Sequence, residues 1–244
     1  MLRRAFSPFL TVFALAVVVL MTLLLGSYLI VLVKVRPKTR QVTRAMRIWA
    51  RTFLFVTATR AKVEGLENID PDASYVFTGN HISNIDVPLT IGYLPVSVRF
   101  LAKMELFRVP ILGGAMRGIH MVRTDRGAGT TAHREINQQV DRVVAEGLSL
   151  VIYPEGTRSR DGELRAFKKG AFRIAIDNGL PVVPVTISGA DRVWRPGWWL
   201  IFGGKVRMIV HEAISTEDMG PQDIDRLRER VHAIVAETYE RIRV

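Results

Sequence analysis

The 244-residue sequence contains no cysteine and carries a formal net charge of +11. The missing thiols exclude disulfides and thiolate metal sites, and the length allows one sizeable α/β domain plus an appendage. The charge does not point to nucleic acid: residues 1–51 hold nine Lys or Arg and no acid, while the remaining 193 residues carry 25 basic against 23 acidic side chains. Basicity flanking an apolar segment is what a membrane surface selects, so phospholipid is the expected partner.

From Pro8 to Val33 there are 26 residues without a charge, about 39 Å of helix against a hydrocarbon core of roughly 30 Å. The run is too long for a signal peptide and lacks a small-residue cleavage site after it. Two basic residues precede it and seven follow by Arg51, so the positive-inside rule puts everything after Lys34 in the cytoplasm of a membrane-bound protein. Residues 39–58 predict a second helix of another kind. Arg40, Arg44, Arg47 and Arg51 recur on one side and Val42, Ala45, Trp49, Phe53 and Val56 on another, as in a helix lying along headgroups. Residues 1–58 thus read as a membrane anchor, either crossing the bilayer or folding back as a one-leaflet hairpin.

Beyond Glu64, short β-branched or aromatic runs alternate with helical stretches, which predicts an α/β sandwich over residues 59–244. Strands are expected at Tyr75–Thr78, Val98–Ala102, Ile119–Arg123, Leu148–Tyr153, Val182–Ile187 and Val206–Val210, with long helices at Thr131–Glu146 and Asp223–Arg241. In the last helix, Ile224, Leu227, Val231, Ile234, Thr238 and Ile242 form one packing stripe.

The stretch Asn80-His81-Ile82-Ser83-Asn84-Ile85-Asp86 interrupts this pattern with a base and an acid. On one continuous helix, residues five apart are turned by roughly 140°, so His81 and Asp86 need a turn to meet. Asp86 with Pro88 in the first turn opens a helix, leaving His81 on the loop before it. There a carboxylate can hold one imidazole nitrogen while the other takes a substrate proton, with no protein nucleophile. The competing reading makes Asp86 a helix cap only.

Three further clusters stand at strand ends or polar turns. Lys103 and Glu105 follow one strand, and Gly118–Arg123 ends with Arg at the close of another. Tyr153-Pro154-Glu155-Gly156-Thr157-Arg158-Ser159 leaves an apolar strand, with Arg165, Lys168 and Lys169 beyond it. The cations suit a phosphate, and Gly156 allows a backbone donor to approach a ligand closely. Singly, each has a structural explanation. The Gly-x-Ser-x-Gly elbow of esterases and the phosphate loop of nucleotide hydrolases are both absent, as is any His-Glu-x-x-His pair among the five scattered histidines, so no metal is expected. Trp194, Trp198 and Trp199, beside Pro196 and Gly197, suggest a loop dipping toward lipid, a buried aromatic cluster being the alternative.

Together, Asn80-His81-x-Ser83-x-x-Asp86, Lys103-x-Glu105-Leu106-Phe107-x-x-Pro110, Gly118–Arg123, Glu155-Gly156-Thr157-Arg158-Ser159 and Val183-Pro184-Val185 resemble the ordered blocks of the glycerolipid acyltransferases, most closely the bacterial 1-acyl-sn-glycerol-3-phosphate acyltransferases. The likeness runs from about Gly65 to Gly189, with His120 where an apolar residue is usual. It implies a mixed sheet flanked by helices, and transfer of an acyl group from acyl-CoA or acyl carrier protein to the 2-hydroxyl of lysophosphatidic acid, giving phosphatidic acid without a cofactor. It also implies that His81 is the base and Asp86 its orienter, and that Lys103, Arg123 and Arg158 bind phosphate. Glu155, Gly156 and Thr157 would shape the site near the reacting carbonyl, and Pro184 would belong to the block tied to the acyl donor. The rival expectations are the same chemistry on glycerol 3-phosphate or another lysophospholipid, and a silent lipid-binding protein, against which intact His81 and Asp86 argue.

Overall fold

The structure, a computed structural model, describes residues 2–35, 40–124 and 129–243. Arg36 and Lys38 of the basic flank lie outside the described residues, as do the side chains of Arg3, Arg4 and His133. Two N-terminal helices, α1 (Leu2–Val35) and α2 (Arg40–Val56), precede a seven-stranded sheet. Its strands are β1 (Thr59–Glu64), β2 (Val76–Gly79), β3 (Val98–Lys103), β4 (Val122–Thr124), β5 (Ser149–Ile152), β6 (Val182–Ser188) and β7 (Gly204–Val210), in the spatial order β1-β7-β6-β2-β5-β3-β4. Every neighbouring pair is parallel except β6 with β7, which makes the sheet mixed.

The central strands are apolar throughout because both their faces are covered. Val76, Leu150 and Val182 point into one cluster with Val140, Phe172 and Leu227; their neighbours Phe77, Val151 and Val183 point into another with Ile85, Leu89 and Phe53. The first layer contains α5 (Gly129–Ala145), α6 (Gly170–Asp177) and α8 (Ile224–Ile242), and the second contains α2 and α3 (Asp86–Tyr93). A short α4 (Leu112–Gly118) packs on α1, and one-turn α7 (Ala190–Val193) precedes the tryptophan loop. At Gly79 a side chain is impossible: a Cβ there would sit 1.8 Å from the Val185 carbonyl oxygen, so glycine sets how closely β2 approaches β6.

The N-terminal helices are joined to the domain. Ala14 and Leu29 of α1 and Val42, Ala45 and Phe53 of α2 belong to the same apolar cluster as Phe77 and Leu89. Arg47 donates to the carbonyls of Leu94 and Pro95, and Arg51 to that of Gly92, so two cations of the basic stripe hold the C-terminal end of α3. Along α1 the outward side chains remain apolar, Phe9, Phe13, Leu20, Leu24 and Val31 among them, and the helix is long enough and apolar enough to cross a membrane.

Several boundaries differ from those expected. Ile119–Met121 is not strand, because the chain leaves α4 through His120 at a φ of 60° and β4 begins only at Val122. In α8 the buried stripe includes Val235 and Tyr239 instead of Ile234, the Tyr239 hydroxyl donating to the Gly162 carbonyl at 2.7 Å.

Candidate active site

The loop between β2 and α3 leaves the C-terminal end of the central strand, where ligands of open α/β sheets gather. Asn80, Ser83 and the His81 backbone have structural tasks in it. Asn80 pairs its side-chain amide with the backbone of Ile187, donating to the carbonyl at 2.7 Å and accepting the N–H at 2.8 Å. Ser83 donates to the Trp194 carbonyl and accepts the Ile85 N–H. The His81 carbonyl accepts the Ser159 N–H at 2.8 Å.

Asp86 is the first residue of α3, as its sequence context predicted, but its carboxylate turns back toward the loop instead of capping the helix. Oδ2 accepts the N–H groups of Ile82 and Ser83, each at 2.8 Å, and lies 2.7 Å from His81 Nδ1. Nδ1 therefore carries the proton and Nε2 is left as the basic nitrogen. The Asp86 side chain is wholly buried, whereas the imidazole is 17% exposed and faces a cavity.

The segment after β5 supports this pair from beneath. Tyr153 stacks on the His81 ring, centroids 4.0 Å apart and planes 9° from parallel. Burial, reinforced by the charge of Asp86, pushes its hydroxyl well above the usual phenol range, so the ring stays neutral. Glu155 is buried too. Its carboxylate accepts the N–H of His81 at 2.7 Å and that of Arg165 at 3.3 Å, and burial outweighs these bonds to push its pKa up to about 7. Gly156 follows at a φ of 75°, a conformation that favours glycine.

The cavity has a volume of about 570 Å³. Its lining includes His81, Lys103, Thr157 and Arg158, and an apolar wall of Val18, Leu25 and Leu29 from α1, Ala45 and Trp49 from α2, and Ala115 from α4. Trp49 donates its indole N–H to Thr22 at 2.9 Å, closing α2 onto α1 at this wall. Lys103 and Arg158 have no carboxylate partner among the described residues, whereas Arg165 lies 3.9 Å from Asp161 and Lys169 lies 2.7 Å from Asp225. A histidine held by a carboxylate, two cations without a carboxylate partner among the described residues and an apolar wall thus share one space.

Of the residues singled out in the sequence, His81, Asp86, Lys103, Glu155, Gly156, Thr157 and Arg158 come together here. Arg123 stands apart. Its guanidinium faces a separate depression with Arg117 and His120 and lies 3.6 Å from Glu135. Pro184 is buried within β6 opposite Thr78, its carbonyl accepting the His211 N–H, and it does not line the cavity. Tyr153 carries no role in the sequence alone, its one signal being an aromatic at the end of an apolar strand. The contribution of α1 and α2 to the cavity was also missed; Gly26 and Ala45, small residues among large ones, marked the place.

A family model described as Acyltransferase matches residues 60–188, and the chain belongs to that family. Among curated relatives, the 1-acyl-sn-glycerol-3-phosphate acyltransferase of Pseudomonas aeruginosa is 30% identical over 198 residues, covering 80% of this chain and 76% of that protein. The enzyme of the same description from Limnanthes douglasii is 32% identical over 173 residues, 71% of this chain and 61% of that protein. This chain thus aligns with about three fifths of the plant relative's length. Among solved structures, the 1-acyl-sn-glycerophosphate acyltransferase PlsC of Thermotoga maritima superposes with a TM-score of 0.84 at 26% identity, covering 98% of this chain and 97% of that one.

Proposed function

We propose that the protein transfers a fatty acyl group from an acyl thioester to the 2-hydroxyl of 1-acyl-sn-glycerol 3-phosphate, forming phosphatidic acid. The observation that carries this reading is the 2.7 Å contact between His81 Nδ1 and Asp86 Oδ2, beside a cavity lined by both cationic and apolar side chains. The relatives named for this activity, in a bacterium and in a plant, support the choice of acceptor.

In this mechanism, His81 Nε2 removes the proton of the acceptor hydroxyl as its oxygen attacks the thioester carbonyl. The tetrahedral intermediate expels thiolate, and the imidazolium returns the proton to sulfur, leaving ester and free thiol. Asp86 keeps the proton on Nδ1 and stabilises the imidazolium. Lys103 and Arg158 receive the acceptor phosphate, and the apolar wall receives a chain. Arg123 opens on the neighbouring depression, so phosphate binding is assigned to the other two cations. The donor, coenzyme A or acyl carrier protein, is already activated, so no cofactor enters. The apolar face of α1 holds the enzyme to the membrane and the basic residues after it place the domain on the cytoplasmic side, where a single-chain lipid is drawn from the bilayer and a two-chain product returns.

The test is an assay of purified protein with a labelled long-chain thioester and, in parallel, lysophosphatidic acid, glycerol 3-phosphate and a lysophospholipid with a larger headgroup. Thiol release coupled to a two-chain product with lysophosphatidic acid is expected. Faster transfer to either other acceptor would overturn the acceptor assignment, and no transfer to any of them would overturn the reaction.

A further inference from the structure

The far side of α2 from the catalytic cavity forms a second, larger space. A cleft of about 870 Å³ lies between α2 and the segment that enters β3, and five arginines line it, Arg40, Arg44, Arg47, Arg51 and Arg99, of which Arg47 and Arg51 donate to the carbonyls of Leu94, Pro95 and Gly92. Its single lining carboxylate is Glu146, which lies 3.0 Å from His120 Nδ1. None of the five arginines forms an ion pair among the described residues. Arg99 is 4% exposed and donates to the carbonyls of Ile119 and Val98. Burial, followed by the charge of Arg51, draws the pKa of Arg47 below its usual value. Among the described residues Glu146 is the one carboxylate lining the cleft with these five cations.

We propose that the cleft is a seat for the phosphate of an anionic phospholipid at the bilayer surface, separate from the cavity in which acyl transfer is assigned. Guanidinium forks suit a phosphate, and Arg40 and Arg44, which form no hydrogen bond or ion pair among the described residues, are free to take a headgroup while Arg47, Arg51 and Arg99 add positive charge around it. Lipid is favoured over a soluble anion because the same helix face exposes Ile48, which lines the cleft, and Phe55, and because α2 packs on the long apolar α1. An acyl chain leaving the seat would meet apolar surface. The seat also has a positional consequence, since Ala45, Met46 and Trp49 on the opposite side of α2 wall the catalytic cavity. A headgroup held here fixes that wall against the lipid surface. The inference rests on the membrane attachment read above, but not on the reaction assigned to His81.

Full-length protein in zwitterionic nanodiscs would be titrated with short-chain phosphatidylglycerol in a calorimeter, with phosphatidylcholine of the same chains, inorganic phosphate and coenzyme A as comparators. Arg40 and Arg44 form no hydrogen bond or ion pair among the described residues, so Arg40→Gln/Arg44→Gln preserves the packing of α2. Arg173→Gln/Arg230→Gln removes equal charge from exposed sites elsewhere. The expected result is saturable phosphatidylglycerol binding by wild type and the second variant, weakened at least tenfold in the first. No saturable binding, equal weakening in both variants, or equal affinity for inorganic phosphate or coenzyme A would overturn the seat. Transfer assays on the same preparations separate the two readings, because lost activity with intact lipid binding counts against the reaction alone.

Discussion

Glu155 reaches His81 through the backbone, its Oε1 accepting the histidine main-chain N–H at 2.7 Å while Asp86 takes the ring. Two carboxylates therefore fix one residue from two directions, and their environments separate their tasks. Asp86 accepts three N–H groups at one oxygen, whereas burial holds the Glu155 pKa up to about 7.

That raised value gives a pH dependence. The ordinary value is 4.5, so the fold favours the neutral carboxyl, and the stability it contributes is complete below about pH 4.5 and lost as pH rises through about 7. Glu155→Gln stays neutral throughout. Denaturation between pH 5 and 8 should show wild type losing roughly 2–3 kcal/mol relative to this variant, an upper figure set by about 1.4 kcal/mol per pKa unit. Parallel profiles would contradict the assignment.

Replacing Asp86 with Asn removes the charge that stabilises the imidazolium and disturbs three hydrogen bonds. We expect kcat to fall by roughly 10³ to 10⁴, with KM for the acceptor changed only a few-fold, by analogy with loss of the orienting acid in a serine protease triad. Steady-state kinetics on both substrates check this. A tenfold or smaller loss would reduce Asp86 to a loop-bracing role.

The stack of Tyr153 on His81 separates ring from hydroxyl. Tyr153→Phe should retain activity within about threefold, whereas Tyr153→Ala should lose on the order of tenfold or more, since an aromatic pair contributes about 0.5–1.5 kcal/mol beyond its buried area. Equal losses in both would assign the role to the hydroxyl.

Much of this site could be read directly from the residues. The base and acid spacing demanded a turn followed by a helix start, and that is how His81 and Asp86 meet. Six of the seven strands were visible as apolar or β-branched runs, because central strands buried on both faces need such residues. The missing one, Thr59–Glu64, alternates Arg60, Lys62 and Glu64 with small or apolar residues at the sheet edge, so it carried little hydrophobic signal. Arg123 looked equivalent to Arg158 because one closes an expected strand and the other follows one, but only the fold reveals that they line different depressions. The basic face of α2 showed its periodicity, yet nothing local indicated that Arg47 and Arg51 would turn inward to the end of α3.

The tryptophan loop joins the N-terminal helices: the Ile201 N–H donates to Thr11 of α1 and Trp194 stacks on Phe53 of α2, while Trp198 and Trp199 remain 52% and 62% exposed. Adding vesicles with brominated chains should quench and blue-shift part of the tryptophan emission, and Trp198→Ser/Trp199→Ser should abolish that part. Unchanged quenching would remove the loop from the lipid interface.

The central claim concerns the imidazole. Single-turnover thiol release from a long-chain acyl thioester, with saturating lysophosphatidic acid, should be rapid in wild type and fall by at least about 10³-fold in His81→Ala, with acceptor binding retained. Release from His81→Ala within tenfold of wild type would contradict it.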